Sequence, residues 1–250
     1  MDFSSALRQL SGVQKSARGV PGYSRFVNRP VGRVLAATAH RLGLSPNHVT
    51  AASALATFAA VATICVYPPT HAVGPWVTLA LLFGFALDSA DGQLARLQRS
   101  ASPSGEWMDH VVDCAKLLGI HAAVLISFYR FFDLPHPALL LAPVAFQFAA
   151  VLLFFGATLT DQLKRVGVDT PACPGVRPST VRGLALLPVD YGLVCLIFLF
   201  LGNHKLFFAL YVALLAAHMV LVPAFLAKWF RELALLRTAV NQPEPRTASR

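Results

Sequence analysis

Charge is what this sequence has least of. Only 13% of its residues are charged, against about a quarter in a soluble domain, which excludes an ordinary water-soluble globule. Acidic residues are the scarcer sign, 12 against 21 basic ones, so the carboxylates that remain stand out. Cysteine is also sparse. Cys65, Cys114, Cys173 and Cys195 form no CxxC or Cys/His zinc spacing, and three fall in apolar runs, which excludes a zinc module, a redox pair and a disulfide scaffold. They read as small buried hydrophobes. Residues 1–43 have no early apolar run and no small-residue cleavage site, so they do not read as a secretory signal. No internal repeat and no soluble domain is visible.

What the chain has in abundance is apolar length. Hydrophobic residues make up 56% and mean hydropathy is +0.58. Crossing a bilayer takes about 20 apolar residues, and six stretches qualify, near 47–67, 74–98, 105–132, 137–165, 180–201 and 204–236. Pro, Gly and Asn punctuate the joins. Ser45 and Pro46 read as cap and first residue of the first span. The expected architecture is therefore all-α and polytopic, with six transmembrane helices over 44–237 and a disordered polar tail at 238–250. Residues 1–43 carry seven Lys/Arg, and 31–42 suit an amphipathic helix on the membrane surface. Tyr23, Asn28 and Arg29 are read first as surface anchors.

Basic residues set the expected orientation. The N-terminus, Arg96, Arg99, Lys164, Arg165, Arg177, Arg182 and the tail from Lys228 onward share one side, leaving Arg130 and Lys205 on the other. Both termini are thus expected in the cytoplasm. The net charge of +9 lies beside apolar spans, which favours anionic headgroups and phosphate substrates over nucleic acid. Arginine outnumbers lysine and alanine is plentiful, an association with GC-rich bacteria, so a bacterial cell membrane is expected.

The scarce acids are not scattered. Asp88 and Asp91 lie three apart, and Arg96 falls eight after Asp88, on one face of span two with Gly92 and Ala95. On span three, Gly105, Asp109 and Asp113 are spaced by four. A single Asp at a helix end is usually a cap or a solvated residue; four acids on the facing stripes of consecutive spans are not explained that way. Four carboxylates crowded near a membrane need cations. All-oxygen ligation suits Mg²⁺, Mn²⁺ or Ca²⁺ rather than zinc. A pair of ions about 4 Å apart can grip a pyrophosphate. The spacing therefore predicts a divalent-metal site with four aspartates aimed at one point and small residues leaving clearance for a nucleotide.

The segment resembles the signature of the CDP-alcohol phosphotransferase family, DxxDGxxAR, eight residues, then GxxxDxxxD. Here it reads Asp88, Asp91, Gly92, Ala95, Arg96, Gly105, Asp109 and Asp113. Ser45-Pro-Asn-x-x-Thr50 also resembles the segment that often opens the first span in that family. The resemblance implies that Asp88, Asp91 and Asp109 bind metal, and that Asp113 lies at the same bimetal site as general base. Mg²⁺ or Mn²⁺, two ions, would be the cofactor. Gly92, Ala95, Arg96 and Gly105, with Asp88 and Asp91, would contact the CDP moiety. CDP-diacylglycerol or another CDP-alcohol would be the donor and a polar hydroxyl compound the acceptor. CMP would leave, the active site would face the cytoplasm, and a homodimer is a further partner the family allows.

Members using phosphorylated acceptors place basic residues after span four, and Lys164, Arg165, Arg177 and Arg182 are the candidates here; ordinary positive-inside charge explains them equally well. Asp161-Gln-Leu-Lys-Arg165 stands where phosphatidylglycerol phosphate and phosphatidylinositol phosphate synthases have an Arg-rich stretch, so the acceptor stays open. Lys116, one turn from Asp113, is a candidate counter-ion. Two other readings compete: a soluble CDP-alcohol donor with a lipid acceptor, and a cation transporter using intramembrane acids.

Overall fold

The computed structural model describes residues 3–12, 20–167 and 186–240. Every regular element among them is helical. Helix α1 covers Phe3–Gly12, and a π turn at Ser24–Asn28 runs directly into α2, Arg29–Arg41. Four long helices follow: α3 (Pro46–Val66), α4 (Val73–Gln98), α5 (Pro103–Phe131) and α6 (Leu141–Gly167), the last entered through a 3₁₀ turn at Pro137–Leu140. A short α7 (Tyr191–Ile197) lies between 3₁₀ turns at Leu187–Val189 and Phe198–Phe200, and α8 spans His204–Val240.

The helix starts follow local chemistry. Ser45 Oγ accepts from the His48 N–H while His48 Nδ1 accepts from the Ser45 N–H, both at 3.4 Å, a reciprocal cap with Pro46 at the first helical position. Ser102 Oγ accepts from the Gly105 N–H at 3.1 Å and opens α5. Between them α4 stops at Arg99, which takes the left-handed conformation at φ 52°. A non-glycine residue there makes a tight reversal, and it returns the chain so that the end of α4 meets the start of α5.

Five helices among the described residues are long and apolar enough to cross a membrane: 46–66, 73–98, 103–131, 137–165 and 204–235. Only 22–44% of each apolar window is buried, so most of the apolar side chains face outward. Leu55, Trp76, Leu79 and Phe148 are all more than half exposed. An outer surface of that kind is stable against hydrocarbon rather than water. Of the expected fifth span, 180–185 lie outside the described residues, and the rest forms the short apolar segment Tyr191–Phe200. Helix α8 continues through Val240, covering the first residues of the expected tail.

Two cores hold the helices together. The larger packs Ile64, Leu81, Ile120, Phe128, Phe198 and Tyr211 between α3, α4, α5, α7 and α8. The smaller joins α1 and α2 to α3 and α4 through Leu10, Ala36, Ala37, Val49, Ala90 and Leu94. Helices α3 and α4 pack closely where Ser53 Oγ donates to the Gly84 carbonyl at 2.7 Å. A Cβ at Gly84 would stand 3.1 Å from the Ser53 carbonyl oxygen, so glycine permits the contact. That contact sets the depth at which the aspartate-bearing part of α4 sits.

Candidate active site

The end of α4 and the start of α5 lie side by side, and three carboxylates converge there. Asp88, Asp109 and Asp113 each offer an oxygen, and these atoms lie within 4.8 Å of one another. Lys116, one turn further along α5 and only 4% exposed, reaches into the same cluster. Its ammonium group contacts the Asp88 carboxylate and lies 3.0 Å from Asp113 Oδ1. The lysine thus pairs with one acid from each helix and draws α4 and α5 together. The sequence suggested Lys116 as counter-ion to Asp113; its link to Asp88 comes from the packing of two separate helices.

Asp91, the fourth expected carboxylate, lies beside the other three but is turned differently. Its side chain is buried, accepts from Thr50 Oγ1 at 2.6 Å, and takes the Gly92 N–H at 2.5 Å. Asp91 stays within electrostatic reach of Asp88 and Asp109, yet its oxygens are claimed by α3 and by its own backbone. This gives a physical account of Thr50 in the Ser-Pro-Asn-x-x-Thr segment: one turn beyond the cap, its hydroxyl orients a buried carboxylate on the next helix.

The small residues behave differently from one another. A Cβ at Gly92 would meet only Arg96 Nη1, at 3.6 Å, whereas at Gly105 it would meet Ser102 Oγ at 3.1 Å and Asn47 Oδ1 at 3.5 Å. Gly92 therefore borders open space, while Gly105 already sits against α3 and its own cap. Ala95 is half-buried beside it on α4. The Arg96 Nε is buried without a hydrogen-bond partner, an unfilled donor on a guanidinium that suits an anion.

A cavity of about 140 Å³ opens against the carboxylates, lined by Phe85, Asp88, Asp113, Lys116, Leu117, Phe154 and Tyr191. Its apolar walls come from α4, α5, α6 and α7, so no single span announces it. Tyr23 and Asn28, read first as surface anchors, pack inward. Asn28 is 5% exposed and donates through Nδ2 to the Phe85 carbonyl at 3.1 Å, and Tyr23 stacks on the Phe85 ring at 6.4 Å between centroids. The segment before α2 therefore backs the cavity wall. Burial raises the Tyr23 phenol above its ordinary value, with Cys195 and Asp190 adding to the rise, while burial and Arg25 lower the Arg29 guanidinium.

Of the four expected acceptor-phosphate residues, Lys164 and Arg165 are described, and neither is among the residues that line the cavity. Lys164 Nζ pairs with Glu232 Oε2 at 2.6 Å, and Arg165 Nη1 pairs with Glu106 Oε1 at 2.6 Å. Arg177 and Arg182 lie outside the described residues. Beyond Phe154, a larger cleft of about 500 Å³ runs between α5 and α6, lined by Trp107, Val111, Val151 and Phe155 among others.

Long apolar helices with outward-facing side chains define an integral membrane protein, and the carboxylate cluster built across two of them could hold a metal ion. A comparison with protein-family models places it: the CDP-alcohol phosphatidyltransferase model matches residues 43–221, more than half of the chain. The chain belongs to the CDP-alcohol phosphatidyltransferase family and is a transferase that uses a CDP-alcohol. The family is generally dependent on divalent metal. A comparison with curated proteins found no match.

Proposed function

We propose that this protein transfers a phosphatidyl group from CDP-diacylglycerol to a hydroxyl acceptor, releasing CMP, with Mg²⁺ or Mn²⁺ at the aspartate cluster. The observation that carries this reading is the convergence of Asp88, Asp109 and Asp113 beside a cavity with largely apolar walls. The donor set fits a hard divalent cation. Metal–oxygen bonds of about 2.0–2.5 Å put opposite ligands about 4–5 Å apart, and the three oxygens lie within 4.8 Å of one another. Asp88, Asp109 and Asp113 would hold the metal directly, with Asp91 beside them completing a two-ion site. When bound, the metal supplies positive charge for the pyrophosphate and for the departing CMP.

The residues of the chain divide the remaining work. Arg96, with its unfilled Nε, binds donor phosphate, and the open space over Gly92 and Ala95 admits the nucleotide. Lys116 holds Asp88 and Asp113 in place. Asp113 then takes the proton of the attacking hydroxyl as general base. The cleft between α5 and α6 gives acyl chains a sideways path to the cavity wall. The same reading keeps six spans, a surface-bound α2 and both termini in the cytoplasm of a bacterium, which the distribution of basic residues supports. Membership of a transferase family sets the transporter alternative aside.

The test is CMP release by the purified protein with CDP-diacylglycerol, an acceptor panel and Mg²⁺ or Mn²⁺. Release that requires metal and disappears in Asp109→Asn supports the reading. Release unaffected by chelator or by that substitution would remove the aspartates from the reaction.

A further inference from the structure

Lys116 is the one cation among the described residues that line the cavity beside Asp113, and it lies outside the stretch from Asp88 to Asp113 that carries the family signature. An ammonium group has three N–H donors. Asp88 takes one, and Asp113 Oδ1, at 3.0 Å, takes another. No third acceptor meets the group among the described residues. With the residue only 4% exposed, the cavity is the space in which that third acceptor fits. Holding the acids together does not by itself account for a lysine at this place. Its positive charge opposes the arrival of a divalent cation at the same carboxylates. Apolar side chains of similar volume join buried helices as well as an ion pair does. A fixed cation facing the cavity is what the lysine adds.

We infer that Lys116 is a catalytic residue that donates its third N–H to a non-bridging oxygen of the phosphoryl group being transferred. The inference rests on the phosphotransfer reading of the same site and adds a residue that touches the donor at its β-phosphate. Size agrees: about 140 Å³ is close to the roughly 150 Å³ that takes a guest of six non-hydrogen atoms, enough for a phosphoryl group and the oxygen that attacks it. Charge agrees as well. During transfer, negative charge spreads over the equatorial oxygens of the moving group. A cation fixed between the apolar side chains of Phe85, Leu117 and Phe154 stabilises that charge more than water does. Lys116 is fixed in this sense, because carboxylates from two separate helices hold it.

The step is a simple displacement. The acceptor oxygen bonds to the β-phosphorus, and the bond from that phosphorus to the bridging oxygen breaks. CMP leaves with the electron pair, and the hydroxyl proton passes to the Asp113 carboxylate. Lys116 keeps its proton and gives up neither carboxylate. It touches the β-phosphoryl group and not the CMP portion of the donor, so its removal acts on one part of the ligand and spares the other.

CDP and CMP differ by the β-phosphoryl group alone, which makes them the probes. The experiment is calorimetric titration of each nucleotide into the full chain in lipid nanodiscs at saturating Mn²⁺, for the parent, Lys116→Met and Lys116→Gln. Both variants should bind CDP about tenfold or more weakly, the loss expected for a hydrogen bond to a charged group, and bind CMP within about twofold of the parent. Retained CMP binding also shows that the variants are folded. In CMP release from CDP-diacylglycerol, kcat of both variants should fall at least tenfold and stay low as Mn²⁺ is raised. Equal weakening or loss of CDP and CMP in both variants overturns the inference, because Lys116 then acts only through the acids that it holds. Turnover that recovers with added Mn²⁺, or unchanged CDP binding, overturns it too and leaves phosphotransfer standing. No binding of either nucleotide to the parent and no CMP release overturns the phosphotransfer reading itself.

Discussion

Replacing Lys116 with methionine tests whether the ammonium and a metal ion answer the same electrostatic need. Lys116 is 4% exposed, and its side chain bridges Asp88 on α4 and Asp113 on α5. Methionine matches the stem but leaves two carboxylates facing each other, with Asp109 close by. Removing one partner of a fully buried ion pair costs about 3–5 kcal/mol. The carboxylate side chains here are 19% and 26% exposed, so water and proton uptake relieve part of that, and about 2–3 kcal/mol remains. At about 2–4 °C per kcal/mol for a chain of this size, the variant should melt about 5–10 °C below the parent in chelator. Added Mn²⁺ should recover most of the loss, because binding at a hundred times Kd returns about 2.7 kcal/mol and the ion supplies the positive charge that the ammonium no longer provides. The assay is thermal unfolding in one detergent, with EDTA and with a Mn²⁺ titration. Equal melting in EDTA, or an equal metal response in both proteins, would refute the argument that Lys116 neutralises the cluster.

Two further outcomes follow from contacts elsewhere in the fold. Thr50→Val keeps the shape of α3 but removes the 2.6 Å hydrogen bond to Asp91; a charge-assisted bond of this kind is worth about 1.5–3 kcal/mol, so half-maximal activation should need about tenfold or more Mn²⁺, read from an activation curve. Gly192→Ala puts a Cβ into the Tyr23 ring where Asp190 also ties Ser24 to α7 through bonds of 2.9 and 2.8 Å; overpacking of about 1–3 kcal/mol should appear as a lower melting temperature, and unchanged melting would deny that the N-terminal segment is locked onto α7.

Much of the fold was legible because the signals are local. Apolar runs located the five long helices to within a few residues, since hydrocarbon demands the same length whatever a helix packs against. The cap at Ser45 and the one-face spacing of Asp88 with Asp91, and of Asp109 with Asp113, also follow from helix periodicity alone. Of the expected fifth span, the described part is the apolar segment Tyr191–Phe200, about half a membrane thickness long, which Asp190 caps at its start.

The sequence by itself therefore determined a membrane-embedded helical transferase and the stripes on which its acids lie, because periodicity and hydropathy act within one helix. Which acids meet was left to the tertiary structure. Only the approach of α3 to α4 could turn Asp91 toward Thr50, and only the pairing of α4 with α5 could place Lys116 between Asp88 and Asp113. The cavity likewise draws Phe85, Leu117, Phe154 and Tyr191 from four separate helices, and their side chains share a wall only once those helices are packed.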